Sequence, residues 1–159
     1  MAKKEYLLSF SRISLGLIFI WGFLDKLFGL GFSTLRESSW ISGTSPTLGF
    51  LKFASKGPFT KLFQAMIGNV FVDWIFMIGL LLVGFCLIFG IAKKISGYSG
   101  ALMMFLMWLA VLPPEHHPFL DEHIIYIFIL IFLAHTKTKF SLSNRWRNLK
   151  LVKKHPILE

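Results

Sequence analysis

Four apolar segments restrict the folds that this chain can adopt. Polar or proline-containing connections separate them. The segments cover residues 7–32, 67–92, 95–112 and 121–135. A helix needs about 20 residues to cross the hydrocarbon core of a bilayer, and the first three segments have that length. The fourth has a shorter apolar run and needs its polar ends to complete a crossing. Because the edge of an open sheet has no hydrogen-bond partner in lipid, all four segments are predicted to be helices.

The composition agrees with a membrane protein. Hydrophobic residues make up 55% of the chain and charged residues only 16%, whereas about 25% charged is usual for a soluble domain. This excludes a disordered chain and argues against a soluble enzyme. The net charge of +9 is not laid out as a soluble basic face, so no nucleic acid partner is expected. The prediction is an all-α integral membrane four-helix bundle, a single domain over residues 1–159, with the lipid bilayer as its partner.

Lysine and arginine residues are divided unevenly between the connections. Most of the 17 fall at the N-terminus, at residues 93–94 and in the basic tail, residues 136–159. By the positive-inside rule, both termini are expected in the cytoplasm and the connections 33–66 and 113–120 outside the plasma membrane. The basic tail would either bind anionic lipid head groups or only fix this topology, and the sequence leaves both open.

The outer loop, residues 33–66, is too long for a bare connection. Ser45-Pro46 resembles a helix start, Gly57 a helix end and Pro58 the start of a second short helix. Apolar and lysine residues are interleaved through this stretch, which predicts short helices lying in the membrane interface. Alternatively, Trp40 and the phenylalanines of the loop would roof a cavity between the spans.

The charged residues inside the segments carry most of the information about function, because each costs about 2.5–3.5 kcal/mol at the membrane centre. Asp25 and Lys26 in the first segment and Asp73 in the second are predicted to lie in the outer half of the membrane. Glu122 opens the fourth helix at a similar depth. Lys26 is expected to pair with Asp73 or Glu122, either as a structural ion pair or as part of a functional site. Arg12, near the inner boundary, is expected to extend its side chain to the membrane surface.

Further polar residues flank these charges. Asn69 and Asp73 are four positions apart and share a helix face, as do Glu122 and Tyr126. Asp121 is expected to cap the N-terminus of the fourth helix, where the helix dipole also favours an acid.

The connection before the fourth helix holds His116, His117 and His123 together with three acids. Proton transfer suits this cluster better than metal binding, because the spacing matches no established zinc pattern. His123 and His135 lie at opposite ends of the fourth segment, which argues against a haem held between two histidines. No haem, flavin or metal is therefore predicted. Trp108 and its neighbouring methionines form an adaptable apolar surface that would suit a quinone ring.

Motifs spread along the whole chain resemble one known family. They read Arg12-Ile13-Ser14-Leu15-Gly16 and Phe23-Leu24-Asp25-Lys26, Trp40-Ile41-Ser42-Gly43-Thr44-Ser45-Pro46-Thr47 and Lys56-Gly57-Pro58-Phe59, Gly68-Asn69 and Val72-Asp73-Trp74, Met107-Trp108-Leu109-Ala110 and Leu112-Pro113-Pro114-Glu115, Pro118-Phe119-Leu120-Asp121-Glu122-His123-Ile124, and Arg145-Trp146-Arg147-Asn148-Leu149. In these motifs the chain resembles the DoxX/DoxD family of small four-helix membrane proteins.

The resemblance implies a subgroup named as the large subunit of a thiosulfate:quinone oxidoreductase. Such proteins are associated with electron transfer from thiosulfate to a membrane quinone, together with a small partner subunit, and a homo-oligomer is a further expectation. Other relatives are linked to redox-stress complexes and to trafficking, so the resemblance leaves the activity open. The chain has His116-His117 where the family usually has Asn-Asn, and its single cysteine, Cys86, excludes a redox-active cysteine pair.

The first hypothesis is a quinone-linked redox subunit, although whether the chain is an enzyme at all is left open. Lys26 would attract an oxyanion, and Glu122 or His123 would exchange protons on quinone reduction. The predicted catalytic residues are Lys26, Asp73, Glu122 and His123, and the predicted substrate-binding residues are Asp25, Asn69, Asp121, Tyr126 and Trp108. The alternatives are a non-catalytic scaffold or binding protein with a structural ion-pair network, and a small transporter.

Overall fold

A computed structural model describes residues 2–155 and 158, and these form helices joined by loops, with no strand among them. The four longest helices are α1 (Ala2–Phe28), α3 (Val70–Phe89), α4 (Lys93–Val111) and α5 (Glu122–His135). Of these, α1, α3 and α4 are long and apolar enough to cross a membrane, which supports the predicted membrane-protein class. Helix α5 has 14 residues and rises about 21 Å, less than the roughly 30 Å of a hydrocarbon core.

The helix ends differ from the predicted segments where glycine or a capping side chain stops the helix. The first segment was predicted to run to residue 32, but α1 ends at Phe28 because Gly29 adopts a φ of 67°. A Cβ atom on Gly29 would lie 2.5 Å from the Cα of Arg36, so the chain needs glycine for this close reversal. Helix α3 begins after Asn69 and ends at Phe89, before Gly90, which has a φ of 64°.

The long helices pack in the order α1, α3, α4, α5, each against the next. Their shared core is formed by Leu15, Phe19, Met77, Leu80, Val83, Leu87, Ala101, Met104, Leu130 and Leu133. Glycine lets α1 and α3 approach closely: a Cβ on Gly16 would lie 2.9 Å from the carbonyl oxygen of Gly84, and a Cβ on Gly84 would lie 2.9 Å from that of Gly16. Small residues at such contacts are typical of helices that pack within membranes.

The outer loop folds into short helical pieces, of which Trp40–Ser42 packs against α1, and Phe50–Ala54 and Gly57–Phe59 pack against α4. The pieces are Arg36–Ser38, Trp40–Ser42 and Gly57–Phe59 as 3₁₀ turns, Phe50–Ala54 as a π-helical turn, and α2 (Thr60–Gln64). A second core joins Leu51 and Phe63 of the loop to Ala110 of α4. The amide of Lys56 donates to the carbonyl of Ala110 at 2.8 Å, so the loop satisfies a carbonyl at the C-terminal end of α4. Whether these short helices lie in a membrane interface remains a prediction.

The basic tail is folded against the end of α3. It contains two short helices, α6 (Ser143–Arg147) and α7 (Lys150–Lys154). The amide of Leu142 donates to the carbonyl of Phe89 at 2.9 Å, and the hydroxyl of Ser143 donates to the carbonyl of Gly90 at 2.6 Å. The tail therefore has a structural role that its charge pattern did not predict.

Candidate functional site

Lys26 is half-buried near the C-terminal end of α1, and its amine faces an aromatic ring. Its Nζ atom lies 6.0 Å from the centre of the Phe76 ring on α3, a distance at which a cation is attracted to the face of a ring. No carboxylate among the described residues forms a salt bridge with Lys26. The predicted ion pair with Asp73 or Glu122 is therefore wrong for this structure: Asp73 binds hydroxyls of the outer loop, and Glu122 is exposed and forms no salt bridge.

Asp25, next to Lys26 in sequence, closes the turn that follows α1. Asp25 is 1% exposed, and its carboxylate accepts hydrogen bonds from the amides of Phe32, at 3.2 Å, and Ser33, at 3.0 Å. The hydroxyl of Ser33 donates to the same carboxylate at 2.6 Å. A buried carboxylate with this many donors is satisfied within the chain, so its contacts are those of a structural cap.

Asp73 joins α3 to the outer loop. Its Oδ1 atom accepts hydrogen bonds from the hydroxyls of Ser45, at 2.8 Å, and Thr47, at 2.6 Å. Asn69, four positions earlier, uses its side-chain oxygen to accept the amide of Phe71 at 2.9 Å and so caps the first turn of α3. Asn69 thus lies just before the helix as its N-cap, with an extended backbone, so it does not share a helix face with Asp73 as predicted; Asn69 starts the helix and Asp73 anchors the loop.

Asp121 caps α5, as predicted. Its Oδ1 atom accepts the amides of His123, at 3.1 Å, and Ile124, at 3.4 Å, while Oδ2 lies 2.7 Å from Nδ1 of the His123 ring. Glu122 is exposed beside this pair. One ligand atom from each of Asp121, Glu122 and His123 lies within 4.8 Å of the others, but the atoms of Asp121 and His123 already bind each other.

The remaining predicted residues contact either the connection 113–120 or the main core. Trp108 stacks on Phe105 with ring centres 5.8 Å apart and donates from Nε1 to the carbonyl of Phe119 at 2.8 Å. The Nδ1 atom of His117 accepts the amide of Leu120 at 3.0 Å and so shapes the same connection. Tyr126 packs against the main core. These contacts show that each of the three residues has a structural role.

The predicted site residues do not form one hydrogen-bonded cluster. Within the described part of the chain, Asp121 and His123 are the two members of the set that hydrogen-bond to each other through their side chains. Asp25, Asp73 and Asn69 bind backbone amides or loop hydroxyls. Lys26 and Trp108 contact aromatic rings, Tyr126 packs on the main core and Glu122 is exposed. Lys26 and Glu122 are the charged members that form no salt bridge or side-chain hydrogen bond among the described residues, and of the two Lys26 is half-buried whereas Glu122 is exposed.

Arg12 is the polar residue whose role the sequence did not predict. It was expected to extend to the membrane surface, but its side chain is fully buried. Nη1 donates to the carbonyls of Leu87 and Ile88, and Nη2 donates to the carbonyl of Phe140 at 2.9 Å. The last carbonyls of a helix lack partners within the helix and favour a cation. The end of an apolar helix near residue 89, at the same depth as Arg12, was the signal that would have predicted this contact.

No family model, curated protein or solved structure matches the chain. The chemistry available at the site is therefore argued from its residues. A lysine amine has three N–H donors and a full positive charge, which suit an oxyanion. The ring of Phe76 beside it and the pair of Trp40 and Trp74, with ring centres 4.7 Å apart, provide aromatic surface on α3 and the outer loop.

Proposed function

We propose that this chain is a four-helix membrane subunit, in the plasma membrane with both termini in the cytoplasm, that passes electrons from thiosulfate to a quinone. The observation that carries the proposal is the amine of Lys26, which has no carboxylate partner among the described residues and lies 6.0 Å from the Phe76 ring. The resemblance of the sequence motifs to DoxX/DoxD proteins supplies thiosulfate and quinone as the substrates. A small partner subunit and self-association belong to the same proposal.

The free-energy cost of a charge inside a membrane supports Lys26 as the anion site. A lysine at the centre of a membrane helix costs about 2.5–3.5 kcal/mol on insertion scales, and the cost is smaller near a helix end, where Lys26 lies. The nearby carboxylate of Asp25 is already held by the amide and hydroxyl of Ser33, and that of Asp73 by Ser45 and Thr47. Asp25 attracts the neighbouring Lys26 by its charge without forming a salt bridge, and a bound oxyanion would add a direct hydrogen-bonded partner.

In the proposed reaction, the side chains of the site have different roles. Two thiosulfate ions join through a new S–S bond and release two electrons, and a quinone accepts these together with two protons to become a quinol. Lys26 would hold the oxyanion by its charge. His123, whose ring nitrogen is hydrogen-bonded to Asp121, and the exposed Glu122 would exchange the protons. The neighbouring rings of Trp40 and Trp74 would contact the planar ring of a quinone, which supplies the electron acceptor.

The experiment measures thiosulfate-dependent quinone reduction by the purified full chain in lipid, with and without the proposed small partner subunit. The proposal expects wild-type protein to reduce quinone in one of these two preparations. Lys26→Gln should remove most of the thiosulfate-dependent rate. A wild-type chain that is folded and inactive in both preparations would overturn the redox proposal.

One observation favours a second function, that of a non-catalytic scaffold, binding protein or small transporter. The acids Asp25, Asp73 and Asp121 all accept hydrogen bonds from the chain itself, as residues of a purely structural network do. If the chain is such a scaffold within a redox complex, Lys26→Gln leaves the rate of quinone reduction by the complex unchanged. If substrate passage were the function, Lys26→Gln would instead slow uptake of labelled thiosulfate into proteoliposomes, while no quinone would be reduced.

A further inference from the structure

A cavity of about 220 Å³ lies where α4 begins and α5 ends, and α6 closes it. It lies at the opposite end of the long helices from Lys26, because α1 ends and α3 begins near Lys26 whereas α3 ends just before α4 begins. Four of the side chains that line it are cationic: Lys93, Lys94, Lys137 and Arg147. None of its described lining residues is an acid. The cavity therefore concentrates positive charge that the chain does not neutralise.

The contacts of these cations leave donors available. Lys93 uses one N–H to donate to the carbonyl of Thr136 at 2.8 Å, which leaves two for a ligand. Arg147 donates from Nη2 to the side-chain oxygen of Asn144 at 3.1 Å, a neutral acceptor. The salt bridges within the described residues involve other side chains. A phosphate group would meet several uncompensated donors here, and arginine suits it especially because its guanidinium donates in a planar fork.

An apolar groove of about 300 Å³ adjoins this cavity. Its apolar walls are Phe85 and Phe89 of α3 together with Ile91, Leu142 and Leu149. Phe85 and Phe89 are 47% and 40% exposed, so the groove is open to its surroundings. Trp146 lines both the cavity and the groove, which makes the two spaces neighbours. Tryptophan is enriched at membrane interfaces, where one end of the ring system is apolar and the other is wet.

From this arrangement we propose that the cavity and the groove together bind one anionic glycerophospholipid. The phosphate lies among Lys93, Lys94, Lys137 and Arg147, and an acyl chain lies along Phe85 and Phe89, with Trp146 between them. Charge complementarity selects an anionic head group, and the adjoining apolar groove favours a lipid over a free phosphate ion. This site is independent of the redox proposal, because it uses none of the residues around Lys26.

The test is a lipid titration of the detergent-solubilised full chain by native mass spectrometry. Phosphatidylglycerol is compared with phosphatidylcholine and with inorganic phosphate. Wild type should retain phosphatidylglycerol more strongly than phosphatidylcholine. The double variant Lys94→Gln/Arg147→Gln should weaken phosphatidylglycerol binding about 30-fold. Each basic residue near a membrane surface contributes about 1 kcal/mol, and the loss of two corresponds to this change in affinity. The matched control Lys150→Gln/Lys153→Gln removes two exposed charges of the tail that do not line the cavity and should change binding little.

A third variant separates a lipid from a free anion. Phe85→Ser removes apolar groove surface without touching a cation, and because Phe85 is exposed it should leave folding intact. It should weaken phosphatidylglycerol binding and leave the binding of inorganic phosphate unchanged. Equal binding of the two phospholipids, an equal loss in both double variants, or full phosphatidylglycerol binding by Phe85→Ser would each overturn the proposed site. Melting temperatures without added lipid verify that all variants are folded.

Discussion

The Nη2 atom of Arg12 lies 2.9 Å from the carbonyl oxygen of Phe140, a residue 128 positions later in the chain. The same guanidinium binds the carbonyls of Leu87 and Ile88 at the end of α3. One buried side chain thus joins the first helix, the end of the second long helix and the start of the basic tail. Carbonyl dipoles face its charge at Nη1 and Nη2, although the buried Nε has no hydrogen-bond partner among the described residues, and these contacts offset the cost of burying an arginine.

Replacing Arg12 should therefore destabilise the fold as a whole. Arg12→Leu removes the donors of several buried carbonyls and is expected to lower the free energy of unfolding by about 3 kcal/mol or more. Arg12→Lys should lie between this variant and wild type, because one ammonium cannot reach all these carbonyls in the same geometry. Arg36→Leu, at an exposed position of the outer loop, is the control and should leave the melting temperature in detergent close to that of wild type.

Asp73 should hold the outer loop in place. Asp73→Ala removes the acceptor of the Ser45 and Thr47 hydroxyls, at an expected cost of about 1–3 kcal/mol for the unpaired groups. Limited trypsin digestion reports the effect, because the loop contains Lys52, Lys56 and Lys61. Cleavage at these lysines should be faster in Asp73→Ala than in Glu122→Ala, whose side chain is exposed. Equal cleavage rates would contradict an anchoring role for Asp73.

The close approach of α1 and α3 should not tolerate a methyl group at Gly84. A Cβ there would lie 2.8 Å from Cγ1 of Ile20 and 2.9 Å from the carbonyl oxygen of Gly16, and such overpacking typically costs about 1–3 kcal/mol. Gly22→Ala is the matched control, because the nearest atom to its Cβ would be 3.9 Å away on Leu80. We expect Gly84→Ala to melt earlier than wild type and Gly22→Ala to melt no earlier. If both variants melted alike, the helix contact would be incorrect.

The sequence predicts the long helices well because their apolarity is a local property. The four segments correspond to α1, α3, α4 and α5, and the capping role of Asp121 also follows from its position before an apolar run. The end of α1 was predicted too late, since an apolar stretch continues past Gly29 while the backbone reverses there.

The partners of the charged residues could not be predicted in the same way. Opposite charges at similar depth suggested that Lys26 pairs with Asp73 or Glu122, yet Asp73 binds the hydroxyls of the outer loop. The donors that satisfy Asp25 and Asp73 come from loops whose course is set by tertiary packing. Arg12 was misjudged for the same reason, because its carbonyl acceptors belong to elements distant in sequence.

The Michaelis constant for thiosulfate in quinone reduction by Lys26→Gln tests the central claim most directly. Lys52→Gln is the matched control, because Lys52 also faces an aromatic ring, with Nζ 5.3 Å from the centre of Phe53, and belongs to the outer loop. If Lys26 binds the oxyanion by its charge, Lys26→Gln raises this constant about tenfold or more, and Lys52→Gln leaves it unchanged. A wild-type constant in Lys26→Gln, or the same increase in both variants, would contradict an oxyanion site at Lys26.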